Sequence, residues 1–149
     1  MKNITEYRQL VNLSLGFDSE LTEIPLDIPC HAYAIGFPYN YCIGDLLSAT
    51  VDSNTSDVEL IHILSKELQL LNLRLIDVDY SNISEIILTK RVIQITRMAT
   101  PCRDYHFYLY HSDGTFSHKF RNSEPQYFSK IELIRGEYSL GIYSVELAL

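Results

Sequence analysis

Two histidines, His106 and His118, stand twelve positions apart in the run Asp104 to Lys119, DYHFYLYHSDGTFSHK, on either side of a turn signal. Imidazole titrates near neutral pH, so two of them held together can move a proton while one fixes the tautomer of the other. Far upstream, Cys30 follows Pro29 and opens the run CHAYAIG. A thiol becomes a strong nucleophile when it gives up its proton, and a cysteine beside a base is a unit that attacks carbonyl carbon. Within that chemistry Cys30 is the candidate nucleophile, His106 the general base and acid, and His118 the group that orients His106.

Such a division of labour needs particular elements around it. Pro25 and Pro29 restrict their neighbours and predict an extended approach to Cys30. Cys30 to Ile35 then reads as a short helix ended by Gly36, with Cys30 in its first turn. Unpaired N–H groups there would favour the thiolate and lower its pKa. The same groups could hold an oxyanion, at about 3 kcal/mol per donor.

His106 falls on an aromatic strand, a rigid platform for a base. The role of His118 depends on the turn. A two-residue loop at Asp113 and Gly114 would place His106 opposite Arg121 and turn His118 to the other face. A three-residue loop, Ser112 to Gly114, with Gly114 left-handed, would pair His111 with Thr115 and make His106 and His118 diagonal neighbours. The three-residue loop is the expectation, because only it makes the spacing useful.

Along the rest of the chain, helical signals come first and strand signals second. Residues 3 to 15 carry a loose apolar stripe (Ile4, Leu10, Val11, Leu15), and Ser56 with Glu59 forms a capping box before Leu60, Ile61, Leu64, Leu68 and Leu71, predicting a helix over 57–72. Strands are expected at Arg74–Tyr80, Arg91–Met98, Tyr105–His111, Thr115–Arg121, Lys130–Arg135 and Tyr138–Glu146. This segregation predicts an α+β domain over residues 1–149, its N-terminal helices packed on an antiparallel sheet of about five strands.

Composition narrows the function. The chain has 149 residues, 46% hydrophobic and 21% charged, which suits one globular core. A net charge of -7 with no long basic run argues against nucleic acid as a partner. No window reaches the length of apolar sequence that spans a bilayer, and MKNITEYRQLVNLSLGF lacks the apolar stretch of a secretory signal, so a soluble protein is expected, cytoplasmic or exported without a Sec signal. Cys30, Cys42 and Cys102 make an odd count with no CxxC pair, consistent with a reducing compartment. Cys102 with His111 and His118 completes no recognised zinc spacing, so neither metal nor cofactor is expected.

The stretch His106 to His118, HFYLYHSDGTFSH, resembles the second motif of NlpC-type papain-like peptidases, and cysteine before histidine is the chain order of papain-like hydrolases. It is also similar to uncharacterised bacterial proteins carrying DYHFYR, then DGxWSHK, with CxxYA upstream; here CHAYA matches the last element. The resemblance covers roughly 25 to 30 residues in two blocks. It implies a papain-like fold with Cys30 as nucleophile, His106 as base and His118 as orienting residue, and it brings Tyr33 and Tyr108 in as substrate-binding candidates. Phe116 replaces a tryptophan, Phe120 replaces a proline, and CHAY lacks the Asp-Cys-Ser-Gly box of peptidoglycan hydrolases, which argues against a cell-wall substrate.

The resulting expectation is a cysteine hydrolase (peptidase, amidase or glutamine deamidase) acting on an amide or thioester of a protein or peptide, in a housekeeping enzyme or a bacterial effector or toxin. Transglutaminase-like acyl transfer would use the same three residues. The competing reading is a non-catalytic interaction domain, an inhibitor, adaptor or immunity-type protein, in which Cys30 is a buried small hydrophobe remote from both histidines. On simpler grounds, His106 could be a satisfied core histidine, Cys42 and His31 structural, and His62 solvated.

Overall fold

The computed structural model describes residues 27–36, 41–100 and 102–148. The expected helix over 3–15 and most of the approach to Cys30 lie outside them. Three helices are described, α1 (Cys30–Ile35), α2 (Asp57–Leu70) and α3 (Ile83–Ile86), with 3-10 turns at Asp45–Leu47 and Tyr80–Asn82. The strands are β1 (Leu73–Asp77), β2 (Arg91–Met98), β3 (Tyr105–Tyr110), β4 (Phe116–His118), β5 (Gln126–Phe128) and β6 (Glu137–Leu147). They form one antiparallel sheet of six strands in the order β1-β6-β2-β3-β4-β5, so the chain is α+β. None of the described helices is long and apolar enough to cross a membrane.

Ser56 caps α2 as its spacing predicts, accepting the Glu59 N–H at 3.1 Å. The helix buries Leu60, Ile63, Leu64 and Leu68, while His62 is exposed. These side chains meet Ile93 and Ile95 of β2, Phe107 and Leu109 of β3, and Val145 of β6 in one core with Ala32, Tyr33 and Ile35 of α1. Alternation along the strands sends Tyr108 and Tyr110 to the opposite face, where an aromatic array collects. Tyr110 packs on Phe116 at 4.5 Å between ring centroids, and Phe116 on Phe128 at 6.2 Å.

One strand expectation needs correcting. Lys130–Arg135 is not a strand, and β5 forms instead from Gln126–Phe128. β4 is short, ending at His118, and the chain returns after a turn at 121–123 to pair Phe116, Ser117 and His118 with Phe128, Tyr127 and Gln126. The Ile and Leu residues of 130–135 gave a strand-like pattern, yet Leu133 and Ile134 have no sheet partner and stand 41% and 61% exposed.

A bulge in β6 shapes the open face of the sheet. The β2–β6 register runs to Ile95↔Gly141, resumes at Thr96↔Ser139 and so passes over Leu140. The extra residue reverses which side chains face which way. Glu137, opposite Met98, turns to the open face, while Tyr138 reaches the helix face and donates to Asp57 at 2.9 Å.

Candidate active site

The β3–β4 hairpin has the three-residue loop. Leu109 pairs with Ser117 and Tyr110 with Phe116, the His111 N–H donates to Thr115 O at 2.8 Å, and Gly114 sits at φ 85°. Asp113 fixes the loop by accepting from the Thr115 N–H at 2.9 Å and its hydroxyl at 2.6 Å. Extending the register by one pair sets His118 across from Tyr108. Their rings stack at 5.3 Å and 12°.

His106, one pleat further, meets His118 directly: Nε2 of His106 lies 2.7 Å from Nδ1 of His118. His118 Nε2 in turn faces Gln126 Oε1 at 3.3 Å. An amide oxygen only accepts, so His118 carries its proton on Nε2 and its Nδ1 is an acceptor. His106 must then donate from Nε2, which leaves its Nδ1 with the lone pair a general base requires. Burial pushes the His106 pKa down from 6.5 to about 4, with the neighbouring His118 adding to the effect. Burial lowers His118 as well.

Cys30 arrives from the other layer of the fold, at a place where the sheet is open. Asp104 O accepts from the Met98 N–H on the β2 side, and His111 bonds Thr115 on the β4 side. Main-chain groups alternate sides along a strand, so those of Tyr105 and Phe107 point to the β4 side, past the last β3–β4 pair. The Cys30 thiol occupies that gap, donating toward Tyr105 O at 4.0 Å. Cys30, His106, His118 and Tyr108 all line one cavity of about 860 Å³.

Several residues hold Cys30 at the gap. Its helix starts after Pro29, in extended backbone, and stops at Gly36, whose φ of 86° is left-handed. Gly36 also leaves room for Arg91: a Cβ there would meet the guanidinium carbon at 3.0 Å. Arg91 donates from Nε to Ala34 O at 2.7 Å, pinning the end of α1 to β2. On the entry side Lys119 is fully buried, and its ammonium donates to Ile28 O at 3.0 Å. Lysine in the run SHK therefore clamps the segment leading to Cys30. Lys119 and Gln126 were given no role by the sequence reading, since a buried lysine in a polar run and an acceptor on a three-residue strand carry no spacing signal.

The thiol itself departs from expectation. Burial raises the Cys30 pKa from 9.0 to about 12. The N–H groups of Phe107, His31 and Cys30 work in the opposite direction and are outweighed. A six-residue helix offers only a small dipole, and the surroundings are apolar, so desolvation governs. Cys30 and His106 are both neutral at rest.

Tyr33 requires a second correction. It is 1% exposed, does not line the cavity, and its hydroxyl lies 2.6 Å from Ser117 Oγ. Ser117 Oγ also lies 2.7 Å from His111 Nε2. Tyr33 thus ties α1 to β4 under the sheet, away from the cavity. Tyr108 does line the cavity, and it donates to both carboxylate oxygens of Glu137 at 3.1 Å. Thr96 donates to Glu137 Oε2 at 2.6 Å and the Ile134 N–H to Oε1 at 3.1 Å, so this carboxylate braces the wall.

Cys42 lines the same cavity and accepts from Arg121 at 3.5 Å, while Cys102 is exposed elsewhere. His31 is fully buried, edge-on to Tyr41 at 4.6 Å. Among the described residues no group of three or more His, Cys, Asp or Glu side chains is arranged to hold a metal ion. No known protein-family model matches this chain, and no curated protein or solved structure matches it either.

Proposed function

We propose that this protein is a cysteine hydrolase of papain-like type, acting on an amide or thioester. The observation that carries the reading is the 2.7 Å contact of His106 with His118 on the wall of the cavity that Cys30 also lines. In the first half-reaction the Cys30 sulfur bonds to the substrate carbonyl carbon as its proton passes to His106 Nδ1. The oxyanion collapses, the bond to the leaving nitrogen or sulfur breaks, and His106 returns that proton to the leaving group. Water then attacks the thioester, gives a proton to His106 and its hydroxide to the acyl carbon, and the proton returns to the departing Cys30 sulfur.

Neutral resting partners make proton transfer part of the attack. Burial raises the thiol and lowers the imidazole, so both shifts oppose prior formation of the ion pair. Substrate that displaces water and brings its carbonyl to the N–H groups of Cys30 and His31 supplies the missing stabilisation. Peptidase, amidase and deamidase activity, or acyl transfer to a second substrate, all use this sequence of steps.

The rival reading is an interaction domain, and the raised thiol pKa is the observation in its favour, because an inert buried cysteine has the same property. Incubation with a small acyl thioester of N-acetylcysteamine, followed by mass spectrometry, separates the two. The hydrolase acquires an acyl group on Cys30 that His106→Ala fails to acquire. Absence of acylation at Cys30, or equal acylation in the variant, would favour the interaction domain.

A further inference from the structure

The wall of the cavity says what kind of acyl group enters it, an inference that rests on the hydrolase reading. Of the five charged groups that line it, four have partners, and the fifth, Asp104, is exposed. Glu137 is occupied by Tyr108, Thr96 and the Ile134 N–H; Lys130 pairs with Glu132 at 3.3 Å; Arg121 donates to Cys42. A charged ligand seated on those four would compete with these contacts. The aromatic and aliphatic groups, by contrast, are left facing the space.

Phe120 stacks on His106 at 4.6 Å and 16°, yet remains 51% exposed. Ile134 lines the same cavity at 61% exposed, and Leu133 beside it is 41% exposed. Met98 and Phe128 add to the apolar lining beside His106. Exposed large apolar side chains gathered at one opening mark a binding surface, and a cavity near 860 Å³ is at the upper end of the usual size for small-molecule sites.

We infer that the substrate is an amide or thioester whose acyl part carries a bulky apolar chain, laid along Phe120, Phe128, Met98 and Ile134. Phe120 supplies the flat shelf nearest the reacting carbon, and Ile134 covers the distal end of the chain. The apolar group could belong to a linear acyl chain or to the side chain of a peptide residue, and the two have the same contact chemistry.

The test is binding of uncharged primary amides to Cys30→Ala by calorimetry, so that the result does not depend on turnover. Affinity is expected to rise roughly fourfold per methylene from butanamide to octanamide. Ile134→Ser, at an exposed position, is expected to flatten that rise. Equal affinity along the series, or a rise that Ile134→Ser and Phe120→Ser both leave intact, would overturn the inference. N-acetyl-leucinamide and N-acetyl-phenylalaninamide form the second arm: tighter binding than octanamide assigns the site to a peptide side chain, weaker binding to a linear acyl chain. Failure of the hydrolase reading would be seen separately, as absence of acylation at Cys30.

Discussion

His118 stands between His106 and Gln126, its Nδ1 2.7 Å from one and its Nε2 3.3 Å from the other. This makes Gln126, on the edge strand, the origin of the tautomer that leaves His106 Nδ1 basic. Gln126→Ala removes one ordinary hydrogen bond, a change of about 1 kcal/mol and so roughly fivefold in rate. His118→Ala removes the partner of His106 itself and is expected to cost on the order of a hundredfold in kcat with little change in KM. Nitrogen-15 spectra of the imidazoles provide the independent readout. A fall in the Nε2-protonated fraction of His106 in Gln126→Ala is expected, and an unchanged tautomer ratio would refute the relay.

The acid limb of activity reports His106. A base must be neutral to accept the thiol proton, and burial holds this imidazole neutral down to about 4. Activity is therefore expected to persist at pH 5 and to fall as pH drops through about 4, where an exposed histidine would already have failed near 6.5. A kcat/KM profile falling at 6 to 7 would show that the base titrates as an ordinary imidazole and is not held neutral by burial.

Alkylation distinguishes the three thiols without any substrate. Cys30 is half-buried with its pKa raised to about 12, whereas Cys42 and Cys102 are exposed. Iodoacetamide at pH 8 is expected to modify Cys102 at least tenfold faster than Cys30, since only a small fraction of the Cys30 thiol is ionised there. Modification of Cys30 first would mean that the ion pair already exists at rest.

Much of this arrangement was legible in the sequence because it depends on local rules. Ser56 with Glu59 marked the start of α2, whereas Asp113 and Gly114 permitted a two-residue turn as well as the three-residue loop that brings His106 and His118 together, and only the usefulness of the spacing favoured the longer loop. Pro29 and Gly36 bounded α1. The remainder depends on groups distant in sequence. Helix-start chemistry suggested an ionised Cys30, but desolvation against β3, seventy-five residues away, opposes it, and no local pattern reveals that contact. Lys130–Arg135 had strand composition without a neighbour to pair with, and Tyr33 was placed in the cleft by motif position when its hydroxyl belongs to Ser117.

Tyr33 can be tested by deleting one oxygen. Tyr33→Phe leaves the ring in the core but removes a partner of the buried Ser117 hydroxyl, with an expected cost of about 1–3 kcal/mol in stability. A structural tie predicts a lower urea midpoint and an unchanged KM. A raised KM at full stability would return Tyr33 to the substrate.

His31 makes the fold sensitive to acid. Its ring is fully buried, and neither nitrogen has a hydrogen-bond partner among the described residues. Burial pushes its pKa from 6.5 down to about 3, with the charge of Arg121 acting in the same direction. Between those values the unfolded chain takes up a proton that the folded chain refuses, so stability falls as pH drops below 6.5 and continues to fall toward 3. At pH 4.5 two units of the difference have been spent, which amounts to roughly 3 kcal/mol from His31 alone. His106 follows the same sign over the window from 6.5 to about 4 and adds a similar loss. His31→Leu keeps an apolar side chain of comparable size among Tyr41, Tyr105 and Phe107, and should be more stable than the wild type at pH 7 by about 1–3 kcal/mol, because no polar nitrogen is left unsatisfied. Its advantage should widen as pH falls to 4.5, and urea titrations of both proteins at pH 7 and 4.5 measure that widening. Parallel loss of stability in the two proteins would mean that His31 is protonated in the folded state and that its ring has a partner it does not have here.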